Sequence, residues 1–290
     1  MSESEKFFIR ANEILDRLEG YLPGNNRLDF NTKSANCWSY NASSNKLEAI
    51  VRQTDISLDN LLCIDKQKHQ LVQNTQQFLS EFPANNALLW GPRGTGKSSL
   101  IKALLNRFQG DGLRLIEIQR DDMKKLPEIC DLVYDQPNKY ILFCDDLSFE
   151  EHDHGYKIIK VMLDGSIKQT PDNVLIYATS NRRHLIPEKM QENLESEFID
   201  GELHYGDTVE EKLSLSERFG LWIAFHPFNQ EQYLSVIHHW LGKHMGTDTP
   251  LSDEQRQAAL QWALEHSSRS GRCAMLFSRD WAGKTGLAQL

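Results

Sequence analysis

The chain has 290 residues, about twice the usual domain length, and its apolar residues with glycine make up about 46%, inside the globular range. That composition excludes a disordered tail protein and a collagen-like chain. With 41 acidic against 32 basic residues the formal charge is −9, which weighs against non-specific coating of nucleic acid but leaves room for a local basic patch.

Phe7, Phe8, Ala11, Ile14, Leu15, Leu18 and Leu22 recur at helical spacing, so an amphipathic helix is expected at the start, broken at Pro23-Gly24. From Arg27 to Asn45 the chain is polar, with Trp38 and Tyr40 as aromatics, and reads equally as a loop or an edge hairpin. A helical pattern from Lys66 to Phe82 ends at Pro83. The rhythm then becomes that of strands alternating with helices. Strands are expected at Ala87–Trp90, Leu113–Ile118, Tyr140–Cys144, Val174–Thr179 and Leu221–Phe225, with helices through Leu100–Phe108 and Leu126–Tyr134. The Tyr140–Cys144 run is apolar throughout, as a strand covered on both faces should be. This alternation predicts an α/β fold with a parallel five-stranded sheet.

After Pro227 the pattern is helical, at Gln230–Leu241, Asp253–His266 and Gly271–Trp281, with Ser252 placed to cap the second of these. The expected division is an N-terminal extension over 1–60, an α/β core over 61–227 and a small helical domain over 228–290.

Five cysteines, Cys37, Cys63, Cys130, Cys144 and Cys273, form no CxxC pair, which argues against a disulfide framework or a cysteine zinc site and for a reducing compartment. The start, Met1-Ser2-Glu3-Ser4-Glu5-Lys6, is acidic and polar where a secretory signal is basic and then apolar. No run approaches the length of a membrane span. A cytoplasmic protein without a membrane partner is the expectation.

The chemistry concentrates after the first core strand. Gly91-Pro92-Arg93-Gly94-Thr95-Gly96-Lys97-Ser98, followed by Ser99, fits GxxxxGK[ST] between a strand and a helix. Glycines there let backbone N–H groups close on phosphate oxygens, and the helix start adds its positive dipole end. Lys97 is placed to reach the β- and γ-phosphates of ATP, and Ser98 to ligate Mg2+. The strand Tyr140–Cys144 ends in Asp145-Asp146: Asp145 suits the metal, and Asp146 the polarisation of the attacking water.

With these elements the chain resembles the AAA+ ATPases, over residues 55 to 285. The resemblance implies further roles. In Ala178-Thr179-Ser180-Asn181, Asn181 is similar to the family's first sensor. Arg218, in Ser216-Glu217-Arg218-Phe219-Gly220, is similar to its arginine finger, and Arg272, after Ser270-Gly271, to its second sensor. The segment from Asp55 through Ile64 looks like the one lining the adenine pocket, with Ile64 at its end. Within the superfamily, Asp145 to Glu150 and Ala178 to Leu185 look most like a functionally uncharacterised bacterial family of predicted AAA+ ATPases. Most AAA+ members carry Asp-Glu where this chain has Asp145-Asp146, so either Asp146 or Glu150 positions the water.

A finger acting in trans implies a homo-oligomer, a ring or open ring. Hydrolysis then drives remodelling or loading of a macromolecule, and the net charge favours protein over nucleic acid as that partner. Arg182 and Arg183 could face phosphate, a neighbouring subunit or nucleic acid, and the acidic stretch Glu188 to Glu211 solvent or a partner. A GTPase is disfavoured, because Asn45-Lys46-Leu47-Glu48 lies upstream of the P-loop and ends in the wrong residue. The rival from another class is a scaffold that binds ATP and hydrolyses little of it.

Overall fold

In the computed structural model, residues 35–147, 154–164, 171–181, 197–199, 202–204 and 217–288 are described. The expected N-terminal helix, Glu150, Arg182, Arg183 and Ser216 lie outside them, as does most of the acidic stretch.

Two strands, β1 (Cys37–Asn41) and β2 (Lys46–Ala49), pair antiparallel and settle the first ambiguity in favour of the hairpin. The core strands are β3 (Ala87–Trp90), β4 (Leu113–Ile118), β5 (Lys139–Cys144) and β6 (Val174–Ser180). Two short strands, β7 (Glu197–Ile199) and β8 (Glu202–His204), form a separate antiparallel pair, and β9 (Leu221–Ala224) returns to the main sheet. That sheet runs β2-β1-β4-β5-β6-β3-β9, parallel except at β2. The expectation of five strands therefore falls short by two. The hairpin adds to the β4 edge, where Cys37 to Ser39 run beside Leu115 to Glu117. Its composition hid this, because only Trp38, Tyr40 and Leu47 on the inward face, with Cys37, are buried.

Helix α1 (Asp65–Leu79) precedes β3, α2 (Lys97–Phe108) follows it, α3 (Leu126–Val133) joins β4 to β5, and α4 (His154–Asp164) follows β5. Residues alternate between the two faces of the sheet. On β5, Ile141 and Phe143 join the core beneath α1 and α2, while Tyr140, Leu142 and Cys144 join the one beneath α3 and α4. Both faces are dry, which explains the unbroken apolar run. The Tyr177 hydroxyl, buried under α1, meets Asn74 Nδ2 at 2.9 Å and Thr75 Oγ1 at 3.0 Å, so its polar tip is satisfied.

The C-terminal helices are α5 (Gln230–Met245), α6 (Asp253–Glu265) and α7 (Gly271–Leu287). Each begins at a side-chain cap. Asn229 and Ser252 close capping boxes with Gln232 and Gln255, and Ser270 Oγ accepts the Cys273 N–H at 3.2 Å. Tyr233, Ile237, Ala274 and Phe277 pack the three helices together and join them to the core under α2. All five cysteines are free thiols; burial pushes those of Cys37 and Cys144 up to about 12, which makes them poor nucleophiles. Among the described residues no helix is long and apolar enough to cross a membrane.

Candidate nucleotide-binding site

The C-terminal ends of β3, β5 and β6 lie side by side, and the P-loop rises from the first of them. Gly91, Gly94 and Gly96 take φ of 138°, 77° and 104°, in the region that favours glycine. Two of these positions also have no room. A Cβ on Gly91 would sit 2.1 Å from the Phe225 carbonyl oxygen, and one on Gly94 2.7 Å from Ser270 Oγ. Gly96 stands at the N-cap of α2 with no side-chain cap, which leaves the first N–H groups of that helix available to an anion.

Lys97 is buried. Its Nζ donates to the carbonyls of Gly91 at 2.6 Å and Pro92 at 2.8 Å and to Asn181 Oδ1 at 3.2 Å. Burial pushes its ammonium down to about 8; Asp146 and Asp145 pull the other way, while Arg93 and Arg272 add to the lowering. The unfolded chain therefore holds this proton more tightly, and the cost to stability, complete below about pH 8, fades as pH rises toward 10.5. Phosphate beside Lys97 would restore its affinity for the proton. ATP binding near pH 8 should accordingly take up protons, and affinity should fall as pH rises through that value. Calorimetry in buffers of different ionisation enthalpy reads the uptake directly; heats that do not depend on the buffer at pH 8 would contradict it.

Ser98 Oγ donates to Asp145 Oδ1 at 2.6 Å, joining the helix start to the end of β5. A hydroxyl and a carboxylate held together are the hard oxygen donors that suit Mg2+. Asp146 has φ 51°, a strained value for a residue with a Cβ. Its Oδ1 accepts from Asn181 Nδ2, and its Oδ2 lies 3.4 Å from the Arg93 guanidinium. Both partners of that ion pair are well exposed, so it is worth at most about 1 kcal/mol and opens easily.

These groups line a cavity of about 460 Å³. One side is polar, with Lys97, Ser98, Ser99, Asp145, Asp146 and Asn181. The other is apolar. Ile56, Leu61, Leu62 and Ile64 come from the segment before α1, Phe228 from the connection leading into α5, and Val236, Trp240 and Met275 from the C-terminal helices. Asn106 of α2 holds that first segment by donating to the carbonyls of Thr54 at 2.8 Å and Ile56 at 2.9 Å. Arg272 completes the lining, and its backbone N–H donates to the Gly94 carbonyl at 3.2 Å, so α7 starts on the P-loop itself.

Arg218 lies elsewhere. It is half-buried and precedes β9, which runs parallel to β3, so it sits at the opposite end of the sheet from its own P-loop. A four-residue strand puts roughly 13 Å between the two edges. Phe219 beside it is buried, and a Cβ on Gly220 would lie 2.4 Å from Asn85 Oδ1, so the turn packs tightly against the start of β3.

Several pocket residues were not singled out from sequence. Trp240 lines the cavity with Val236 and Met275, and helical periodicity does not say which apolar face meets a neighbouring element. Thr179 could have been found. A strand's period of two puts it on the same face as Asn181.

The chain shares 32% identity over 82 residues with the Replication factor C large subunit of Ignicoccus hospitalis, a match covering 28% of this chain and 17% of that one. Among solved structures, the Aeropyrum pernix Orc1 protein in complex with DNA is similar at a TM-score of 0.51 and 13% identity, over 73% of this chain and 57% of that one. A Thermotoga maritima RuvB variant matches at a TM-score of 0.47 and 14% identity, over 77% and 63%. The chain thus spans less than two thirds of each of these relatives. The family model described as "Protein of unknown function (DUF815)" matches residues 31–285; the chain belongs to that family and has the AAA+ ATPase fold.

Proposed function

We propose that this chain is an ATPase that binds Mg2+·ATP between its sheet edge and its helical domain, and that a second copy supplies Arg218. The observation carrying the reading is convergence: side chains from α2, the end of β5, the end of β6 and the start of α7 meet in one cavity with a polar and an apolar wall. The triphosphate would lie along the P-loop, in reach of Lys97, and the base against Ile64 and Trp240. Ser98 and Asp145 would hold magnesium, which when bound would neutralise phosphate charge. Asp146 would orient the attacking water and accept its proton, with Asn181 fixing the carboxylate and Arg93 released toward phosphate. Arg218 precedes β9, at the sheet end opposite its own P-loop, which suits action on a neighbour's nucleotide.

Hydrolysis in such a protein is spent on a partner. The similar Orc1 structure is a complex with DNA, which brings nucleic acid forward beside protein; the net charge of −9 does not rank the two, because a local basic patch suffices. The choice of water-positioning residue is tested by two variants. Asp146→Asn should keep ATP and magnesium affinity while turnover falls by about 10²–10⁴, the usual contribution of a general base. If Glu150→Gln has that effect and Asp146→Asn does not, the role belongs to Glu150.

A further inference from the structure

Asp145 and Asp146 must hold a fixed relation if one is to carry metal and the other water, yet the chain between them turns sharply, with φ 51° at Asp146. A single buried hydroxyl spans that turn. Thr179, at 1% exposure near the end of β6, donates from Oγ1 to Asp145 Oδ1 at 2.6 Å and accepts the Asp146 N–H at 2.9 Å. A hydroxyl has one proton to give and lone pairs to receive, so both contacts are made at once. The Thr179 carbonyl also accepts the Leu147 N–H at 2.6 Å, which pins the next residue to β6. Asp145 Oδ1 then carries Thr179, Ser98 and a longer contact of 3.2 Å from the Asp146 N–H. These bonds fix the rotation of the carboxylate about its own axis.

We propose that Thr179 is a positioning residue: its hydroxyl locks the Asp145-Asp146 turn and so holds the Asp145 carboxylate in one rotation beside Ser98 and the Asp146 carboxylate toward Asn181 and Arg93. Strain at Asp146 is held by this bond in the ligand-free chain, before any nucleotide arrives. A buried hydroxyl merely filling space would need only one partner, and Val would replace it. Here it bridges two functional residues, and only another hydroxyl can do that.

The proposal rests on the reading of Asp145 and Asp146 given above, so its test begins without nucleotide. In the full ligand-free chain carrying isotope-labelled aspartate, Asp146 amide hydrogen exchange should quicken about tenfold in Thr179→Val, the value of one lost hydrogen bond with its strained turn. In Thr179→Ser it should stay at the parent rate. Should Thr179→Val not fold, Thr179→Ala removes the same hydroxyl without a new apolar branch and is read the same way. The second readout is the factor by which magnesium tightens ATP binding, which should shrink at least tenfold in the hydroxyl-free variant and return in Thr179→Ser. Parent-like exchange and parent-like magnesium dependence in the hydroxyl-free variant would overturn the proposal. A parent chain that binds no ATP would overturn the proposed function instead, and the exchange rates would still decide the role of Thr179.

Discussion

Lys97→Ala is expected to lower ATP affinity by about 10²–10⁴, which removes binding at ordinary concentrations. The physical reason is the number of charge-assisted hydrogen bonds that the ammonium can give. Each is worth about 1.5–3 kcal/mol, and two to the β- and γ-phosphates together exceed the 1.4 kcal/mol of a tenfold change several times over. In the ligand-free chain Lys97 gives its three protons to the Gly91 and Pro92 carbonyls and to Asn181, so the cation is already buried in the loop and exchanges part of those bonds for charged phosphate oxygens when nucleotide arrives. Unchanged ATP affinity in Lys97→Ala by calorimetry, with the fold intact, would remove the P-loop assignment.

Arg218→Ala should leave ATP affinity near that of the parent and cut turnover by about 10³–10⁵, the range for an arginine that meets charge on a departing γ-phosphoryl group. It precedes β9, at the sheet end opposite its own cavity, so on the proposed reading another subunit repairs the loss. Mixing decides. Arg218→Ala subunits keep a working P-loop, and Lys97→Ala subunits keep the arginine. Each alone should be inactive, and the mixture should hydrolyse ATP. In the parent, activity per unit protein should rise with concentration as copies assemble. A mixture as inactive as its components, beside a parent whose specific activity is flat on dilution, would assign Arg218 to packing against the Asn85 turn instead.

The parts of this site that were legible in the sequence are those whose chemistry and backbone geometry coincide. Gly91, Gly94 and Gly96 are there because the chain turns through positive φ, and the next residue, Lys97, is placed by that same turn; a motif that encodes its own conformation can be read directly. The strands β3 to β6 were legible because each is buried on both faces, so no polar alternation obscured them. The hairpin β1–β2 was not. Between its strands and on its outer face lie Ser39, Asn41, Ser44 and Lys46, and its pairing with β4 joins residues 78 apart in the chain, as Cys37 with Leu115. Arg218 was singled out from its local string, but only the parallel register of β9 with β3 puts it at the sheet end opposite its own cavity. Thr179 shows a different limit. Its string was noticed for the polar residue at its end, whereas the hydroxyl two places earlier makes the two contacts that join Asp145 to Asp146.

Whether this cavity hydrolyses ATP or only holds it is decided by steady-state phosphate release from the full chain, taken on samples whose ATP occupancy is read in parallel. Release should follow occupancy, require magnesium, and fall at least a hundredfold in Asp146→Asn while occupancy is unchanged. Full occupancy with phosphate release no faster than that of Asp146→Asn and Glu150→Gln would contradict the proposed hydrolysis and leave a nucleotide-gated scaffold.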